Sequence, residues 1–297
     1  MTPTDARQYR AGALCVAAAA AVWSMSGLFL RAISADLMTI VFLRGIFSGL
    51  AVFAFFLYLE RGRAFTILRG LGWPTVWAAV FSAAGMMSGL GAMYYTTIAE
   101  AMVIYATLPF VTAGVAWLAI REVPSRATLI AAGVALAGVL VMLIGAGGGG
   151  SMLGKGLAVA MTLTVAILAM LMRKYRNLEM LPAMMFSAWL CSFCTVWFAS
   201  PFAVSGVDWW LIILFALVQN ALGLVLYTFG SRWIPASDAS LLTALEVPLT
   251  PLWVWIFMEE APTGPTLAGG MIVLAALFGH IHVEMRRNRV SEPAIAL

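Results

Sequence analysis

The sequence has little charge. Lysine, arginine, aspartate and glutamate make up 10% of its 297 residues, whereas about a quarter is usual in soluble globular proteins. Hydrophobic residues make up 63%, and they fall in blocks of about 20, the length that crosses a hydrocarbon core of ~30 Å. This composition excludes a soluble globular chain and predicts an integral membrane protein made of α-helices.

Residues that hold metals or form disulfides are also scarce. The two histidines, His280 and His282, close the last apolar segment, and the three cysteines, Cys15, Cys191 and Cys194, all lie inside apolar segments. We therefore expect no metal, no cofactor and no disulfide framework. The basic residues sit in the connections between apolar segments, where they report membrane topology, so no nucleic-acid partner is expected.

Ten segments are apolar enough to cross a membrane, and the connections between them are short. The sequence therefore predicts an all-α integral membrane fold with ten transmembrane helices. These cover about residues 11–31, 38–59, 74–97, 100–120, 127–145, 154–172, 182–200, 209–230, 237–258 and 266–283.

The basic residues predict the orientation of these helices, because cytoplasmic loops carry an excess of lysine and arginine. With the amino terminus inside, 14 of the 17 basic residues fall on the cytoplasmic side, while Arg31 and Lys155 fall outside and Arg44 lies within a span. One missed or extra helix would scramble this distribution. The ten-span count and cytoplasmic amino and carboxyl termini therefore support each other.

A glycine-rich, uncharged segment divides the chain into two halves. We expect residues 1–146 to form a first five-helix half, 147–153 an external connector, 154–285 a second five-helix half and 286–297 a cytoplasmic tail. Because five is odd, the two halves enter the membrane from opposite sides. Such inverted repeats are a recurring transporter design, with the substrate site near the bilayer midplane between them.

An internal similarity supports the two halves. Shifted by 138 residues, Ala99–Ser125 aligns without gaps on Ser237–Thr263. The identical pairs are Ala101/Ala239, Ala106/Ala244, Thr112/Thr250, Trp117/Trp255, Glu122/Glu260 and Pro124/Pro262, and an acid occupies both Glu100 and Asp238. The prolines inside these segments, Pro109 and Pro248, miss each other by one residue and predict a helix break in each half.

Two charged residues, Arg44 and Glu246, lie deep inside predicted spans and away from the span ends, where charge is costly and is usually functional. Glu246 falls ~13 Å from the start of its segment at 1.5 Å per residue, so it is a candidate to contact a substrate amine or to couple transport to protons. Its structural alternative is a carboxylate that caps backbone groups freed by Pro248. Arg44 is a candidate contact for a substrate carboxylate or another anion. Its structural alternative is an arginine that reaches the interface or pairs with Asp36 or Glu100.

Uncharged polar and aromatic residues inside the spans are further candidates for the wall of a central cavity. Asn220, Gly223 and Tyr227 share one helix face, as do Ser82, Gly85, Met86, Gly89 and Met93; small residues at this spacing also serve close helix packing. The candidates to contact a substrate are Trp23, Met86, Tyr94, Tyr105, Asn220, Tyr227, Ser240 and Thr243.

The repeated motif resembles the EamA-type transporters of the drug/metabolite transporter superfamily. In the second half the motif lies at Ala239–Pro248 and at Glu259-Glu260-Ala261-Pro262, and in the first half at Pro109 and Arg121-Glu122-Val123-Pro124. The resemblance implies two inverted five-helix repeats around a central cavity. The sequence IAEAMVIYATLPF, the spans rich in methionine and tyrosine and the Gln219-Asn220 pair are similar to bacterial inner-membrane exporters of aromatic and other amino acids.

This resemblance implies a secondary transporter in the bacterial inner membrane. It would export aromatic and other neutral amino acids with broad specificity by alternating access. A multidrug or nucleotide-sugar-like carrier of the same superfamily is the near alternative, and a passive channel or an integral-membrane enzyme is more distant. The expected partners are amino acids and the lipid bilayer. The sequence is compatible with a monomer and does not fix the oligomeric state or the energy source.

Overall fold

The computed structural model describes residues 3–96, 98–143, 151–175, 177, 180–258 and 264–290. Within these residues the regular structure is entirely helical. The first half contains α1 (Pro3–Trp23), α2 (Ser26–Ala32), α3 (Leu37–Glu60), α4 (Ala64–Arg69), α5 (Trp73–Tyr95), α6 (Ile98–Tyr105), α7 (Leu108–Ile120) and α8 (Arg126–Leu143).

The second half contains seven α-helices and one π-helix in the described residues. They are α9 (Met152–Lys174), α10 (Leu181–Thr195), α11 (Gly206–Leu214), the π-helix (Phe215–Leu222), α12 (Gly223–Gly230), α13 (Ala236–Thr243), α14 (Glu246–Met258) and α15 (Gly264–Val290). Residues 147–150 of the predicted connector lie outside the described residues, and the first residues of the predicted tail continue α15 as far as Val290.

Eight helical runs among the described residues are long and apolar enough to cross a membrane. They are Arg7–Ala32, Leu37–Arg69, Trp73–Tyr95, Glu100–Ile120, Met152–Lys174, Leu181–Phe198, Gly206–Gly230 and Asp238–Phe257. Two shorter apolar helices, Arg126–Val141 and Leu267–His280, coincide with the fifth and tenth predicted spans. A helix satisfies its own backbone hydrogen bonds, which explains why apolar segments of this kind are helical in lipid.

The internal repeat is visible in the helix boundaries. Adding 138 to the first and last residue numbers of α6 and α7 gives the first and last residue numbers of α13 and α14. The helix is interrupted at residues 106–107 and again at residues 244–245. Pro109 and Pro248 lie in the first turn of the helix that follows each interruption. Proline lacks an amide hydrogen, so it is tolerated at a helix start but not in a helix interior.

The two halves pack through corresponding helices. Helix α3 lies against α10 and α8 against α15, while α5 packs on α9 and α12 packs on α1. Glycine permits the closest of these approaches: a Cβ at Gly12 would lie 2.8 Å from the carbonyl oxygen of Gly230, and a Cβ at Gly230 would lie 2.7 Å from that of Gly12. At Gly12 and Gly230, α1 of the first half and α12 of the second half are therefore in direct backbone contact.

The first span departs from the repeat. Helix α1 ends at Trp23 and α2 begins at Ser26, whereas the corresponding α9 is continuous from Met152 to Lys174. The Ser24 hydroxyl donates to the carbonyl of Ala21 at 2.6 Å and accepts a hydrogen bond from Trp253 Nε1 at 2.6 Å. These contacts tie the break in α1 to α14 of the other half.

Candidate functional site

A cavity lies between the two halves. Its volume is about 100 Å³, which is room for several water molecules. The first half contributes Trp23, Ser26, Arg44, Ser82, Gly85, Met86, Gly89, Leu90, Met93 and Tyr105, and the second half contributes Met161, Val165, Leu168, Gln219, Asn220, Tyr227 and Glu246. Both repeats therefore build one site, as the inverted-repeat interpretation expects.

Arg44 provides the positive charge of this cavity. Its side chain projects from α3, is 4% exposed, and donates from Nη1 to Gln219 Oε1 at 3.0 Å. The guanidinium carbon lies 4.8 Å from the centre of the Phe215 ring, a cation–π arrangement. A guanidinium carries five donor hydrogens, and among the described residues Gln219 is the only hydrogen-bond partner of Arg44. The remaining donors are available to an anionic group in the cavity.

The two acids that were alternative partners for Arg44 are engaged elsewhere. Asp36 caps the amino end of α3 by accepting from Thr39 N at 3.0 Å and from the Thr39 hydroxyl at 2.5 Å. Partial burial raises the pKa of Asp36, but these hydrogen bonds outweigh it and hold that pKa below its ordinary value. Glu100 pairs with Lys155 at 3.3 Å. Within the described chain no carboxylate forms an ion pair with Arg44.

Glu246 provides the acidic side chain of this cavity. It is the first residue of α14, is 4% exposed, and lies directly after the break at 244–245. No hydrogen bond or ion pair joins its carboxylate to another described residue; the Thr250 hydroxyl donates to its backbone carbonyl instead, at 2.7 Å. The carboxylate therefore does not cap backbone groups in the described structure. It faces the cavity, where a cation or a proton could reach it.

Two aromatic side chains of the cavity wall, Trp23 and Tyr227, meet where α1 packs on α12. The rings of Trp23 and Tyr227 are 5.3 Å apart at 42°. Gly223 makes room for them, because a Cβ there would overlap the indole nitrogen of Trp23. The face predicted from Asn220, Gly223 and Tyr227 thus meets the first span, and its glycine is required by packing.

Tyr105 and Thr243 occupy equivalent positions in the two repeats and interact with each other. A side-chain hydrogen bond joins them, and Tyr105 shares the cavity wall with Glu246 and Tyr227. Tyr105 lines the cavity, whereas Thr243 and Ser240 are buried behind it. The Thr243 hydroxyl donates to the backbone carbonyl of Ser240 at 2.8 Å.

The remaining predicted cavity residues divide between the cavity and the surface. Met86 and Asn220 line the cavity, and the Nδ2 atom of Asn220 is buried with no hydrogen-bond partner in the described structure. Tyr94 is 55% exposed and packs edge-on against Tyr95, with ring centres 5.2 Å apart. Pro109 and Pro248 are buried in the first turns of α7 and α14 and are absent from the cavity wall.

One face of α5 serves both of the roles proposed for it, close helix packing and the cavity wall. Its residues are Ser82, Gly85, Met86, Gly89 and Met93. All five of its predicted residues line the cavity, and Gly89 also allows Met161 to approach, since a Cβ there would lie 3.1 Å from the Met161 sulfur. Sequence reasoning missed the wall contributed by α9, which is Met161, Val165 and Leu168. The α9 segment is apolar on most sides, so its composition does not distinguish the cavity from lipid.

Polar contacts join the two halves beyond the cavity. In one group, Asp238 accepts from the Tyr9 hydroxyl and from the Thr128 hydroxyl, each at 2.9 Å, and lies 3.5 Å from His280 Nε2. Nearby, Glu122 accepts from Arg173 Nε at 3.0 Å and from the backbone amide of Ala236 at 3.2 Å.

In a second group, Glu100 pairs with Lys155 at 3.3 Å and accepts from the Thr96 hydroxyl at 2.6 Å. The Ser151 hydroxyl also donates to the carbonyl of Tyr95 at 2.7 Å. Within the described part of the chain, no group of three or more histidine, cysteine, aspartate and glutamate side chains could hold a metal ion.

The apolar helices, the repeated break and the shared cavity define a multi-pass membrane protein built from two repeats. The sequence profile of the EamA-like transporter family matches residues 10–144 and 152–281. The chain therefore belongs to the EamA-like transporter family, which indicates a transporter of the drug/metabolite transporter superfamily.

Solved structures share this fold. Among 29 matching chains, one described only as a crystal structure of a protein superposes with a TM-score of 0.78 at 19% sequence identity. The match covers 93% of this chain and 98% of that one. No curated protein sequence matches the chain.

Proposed function

We propose that the protein is a secondary active transporter that exports amino acids, aromatic and other neutral ones, with broad specificity. One observation carries this proposal: Arg44 and Glu246 line the same cavity, and neither forms an ion pair with another described residue. A buried guanidinium and a buried carboxyl group that lack ion-pair partners are costly unless a ligand or water satisfies them. A zwitterion satisfies both, with its carboxylate on Arg44 and its ammonium group on Glu246.

The wall between these charges suits a varied side chain. It combines the aromatic rings of Trp23, Tyr105 and Tyr227 with the sulfur atoms of Met86 and Met93. Methionine is flexible and polarisable and packs well against aromatic groups. Two fixed polar contacts, Arg44 and Glu246, with flexible methionine and aromatic side chains between them support broad specificity among neutral amino acids.

Alternating access is the mechanism that the contacts between the halves support. The Asp238 group and the Glu100 group each join one half to the other, on elements that correspond in the two repeats. In the proposed ten-span topology, with both termini in the cytoplasm, these groups lie on opposite sides of the cavity. Breaking one group while keeping the other would open the cavity to one side at a time. The proposed location is the bacterial inner membrane.

The competing functions fit the cavity less well. A nucleotide or nucleotide-sugar carrier needs several cations for its phosphates, whereas Arg44 is the only basic residue among the described cavity residues. A multidrug carrier does not need a cation and an anion in one cavity. An integral-membrane enzyme needs a nucleophile with a base, paired acids or metal ligands, and the cavity wall is better suited to binding than to such chemistry.

Exchange in proteoliposomes tests the proposal. Purified protein is reconstituted with unlabelled amino acid inside, and the entry of labelled neutral amino acids is followed against protein-free vesicles. We expect saturable counterflow for phenylalanine and for several other neutral amino acids, with trans-stimulation that a pore would not show. Absence of counterflow for every amino acid in the panel overturns the amino-acid proposal.

A further inference from the structure

The side chain of Gln219 bridges the two halves at the cation of the cavity. Its Oε1 accepts from Arg44 Nη1 at 3.0 Å, and its Nε2 donates to the backbone carbonyl of Trp23 at 3.2 Å. Trp23 is the last residue of α1, so its carbonyl is among those that a helix end leaves without an intrahelical partner. Gln219 is 5% exposed, and both ends of its amide are occupied. The bridge therefore fixes the amide in one orientation.

The local backbone explains how this bridge forms. Gln219 lies in the π-helix, four residues after Phe215. The ring of Phe215 lies under the Arg44 guanidinium, and the amide of Gln219 accepts a hydrogen bond from Nη1 of the same guanidinium. Single π-helical turns inside α-helices occur frequently at functional sites. Here the π-helix presents two contacts to one guanidinium.

The charge of this partner matters more than its position. A buried arginine is usually paired with a carboxylate, which would cancel its charge. Gln219 is uncharged, and within the described chain no acid replaces it as an ion-pair partner of Arg44. The amide therefore holds the guanidinium in place and leaves its positive charge uncompensated toward the cavity.

We propose that Gln219 is the positioning residue that determines specificity for substrates with a carboxylate. It acts through Arg44, whose guanidinium it orients without neutralising it, and a residue with an acidic side chain at this position would remove the preference. This inference rests on the proposed function, because it assigns the carboxylate of an amino acid to Arg44.

The test compares phenylalanine with phenylalaninamide, which keeps the ring and the ammonium group but lacks the negative charge. Both compete with labelled phenylalanine for counterflow in proteoliposomes, and the ratio of their inhibition constants is the readout. We expect the wild-type protein to favour phenylalanine. Gln219→Glu is expected to reduce that preference at least tenfold, because the new carboxylate pairs with Arg44. The reduction is expected mainly as a higher KM for phenylalanine. Gln219→Ala, which loses orientation but not charge, is expected to reduce it less.

A double-mutant cycle separates positioning from a merely structural role. In an Arg44→Gln background we expect most of the preference to be gone already, so adding Gln219→Glu is expected to change the ratio less than twofold. All variants are compared as monodisperse protein, and Gln219→Ala carries the test if Gln219→Glu does not fold. The inference is overturned if Gln219→Glu keeps the wild-type preference or changes it equally with and without Arg44. Wild-type exchange of phenylalanine without discrimination against the amide also overturns it but leaves the proposed function standing, whereas no exchange of any amino acid overturns both.

Discussion

Glu100 and Asp238 occupy equivalent positions in the two repeats, and each carboxylate contacts the first helix of the opposite half. Glu100 of α6 pairs with Lys155 of α9, and Asp238 of α13 accepts a hydrogen bond from Tyr9 of α1. Each acid lies in the first turn of the helix that precedes the break of its own repeat. A change at either contact can therefore be transmitted to the cavity through a short helix.

Removing these contacts one at a time is expected to open the cavity from opposite sides. In a background without the native cysteines Cys15, Cys191 and Cys194, Ser26→Cys places a reporter thiol in the cavity wall. Glu100→Gln is expected to speed its reaction with an impermeant thiol reagent added outside, and Asp238→Asn with the same reagent added to the cytoplasmic side. Each variant removes attraction that stabilises closure on its own side.

The reporter alone serves as the control for both variants. Faster labelling from the same side in Glu100→Gln and Asp238→Asn, or no change in either, would show that the two acids do not close opposite ends of the transport pathway.

Arg44 is expected to require its guanidinium as well as its charge. Arg44→Lys keeps the cation but cannot contact Gln219, Phe215 and a substrate carboxylate with one planar group. A hydrogen bond to a charged group contributes about 1.5–3 kcal/mol, so we expect KM for phenylalanine to rise about tenfold or more in Arg44→Lys. Arg44→Gln is expected to raise it further. Initial rates of counterflow measure both, and an unchanged KM in Arg44→Gln would remove Arg44 from the substrate site.

Gly223 is expected to tolerate no side chain. In Gly223→Ala the added methyl group would displace the indole of Trp23 and with it the contact to Tyr227, and overpacking of this kind costs about 1–3 kcal/mol. We expect lower thermal stability in detergent and reduced exchange. Gly114→Ala is the matched control, because a Cβ at Gly114 meets no atom within 4 Å, and helical alanine is favoured over glycine. Equal effects of the two substitutions would contradict the packing argument.

Glu246 is the candidate for coupling export to protons, since it is the acid in the cavity wall and lacks an ion-pair partner among the described residues. Glu246→Gln cannot bind and release a proton. We expect this variant to lose acceleration of transport by a pH gradient while retaining amino-acid exchange at a higher KM. The measurement compares uptake with and without an imposed gradient, and unchanged pH dependence in Glu246→Gln would assign coupling elsewhere.

The sequence was informative where local chemistry decides the structure. The repeat aligned at a shift of 138 residues predicted paired breaks, and α6, α7, α13 and α14 follow that shift at each boundary. Proline and a preserved pattern of apolar residues are local signals, so they can be read without neighbours. The charged residues inside the spans, Arg44 and Glu246, also stood out because charge is rare in lipid.

Contacts between residues that are far apart in the sequence could not be predicted from the sequence alone. The structural alternative for Arg44 was an acid partner or the membrane interface, but its side chain binds Gln219, 175 positions away. The break after Trp23 has no proline to announce it, and the π-helix has no sequence signal that distinguishes it from an α-helix. Tyr94 resembled the other aromatic candidates but faces outward. Periodicity identifies a helix face, and only tertiary packing decides what that face contacts.

The central claim, that one cavity binds both charges of an amino acid, is tested most directly by competition among three compounds. Phenylalanine, phenethylamine and 3-phenylpropionate share a ring but carry both charges, only the cation and only the anion. We predict that phenylalanine competes best for counterflow in the wild-type protein, that Arg44→Gln narrows its advantage over phenethylamine, and that Glu246→Gln narrows its advantage over phenylpropionate. Equal competition by all three compounds in the wild-type protein, or the same change of preference in both variants, would contradict the account.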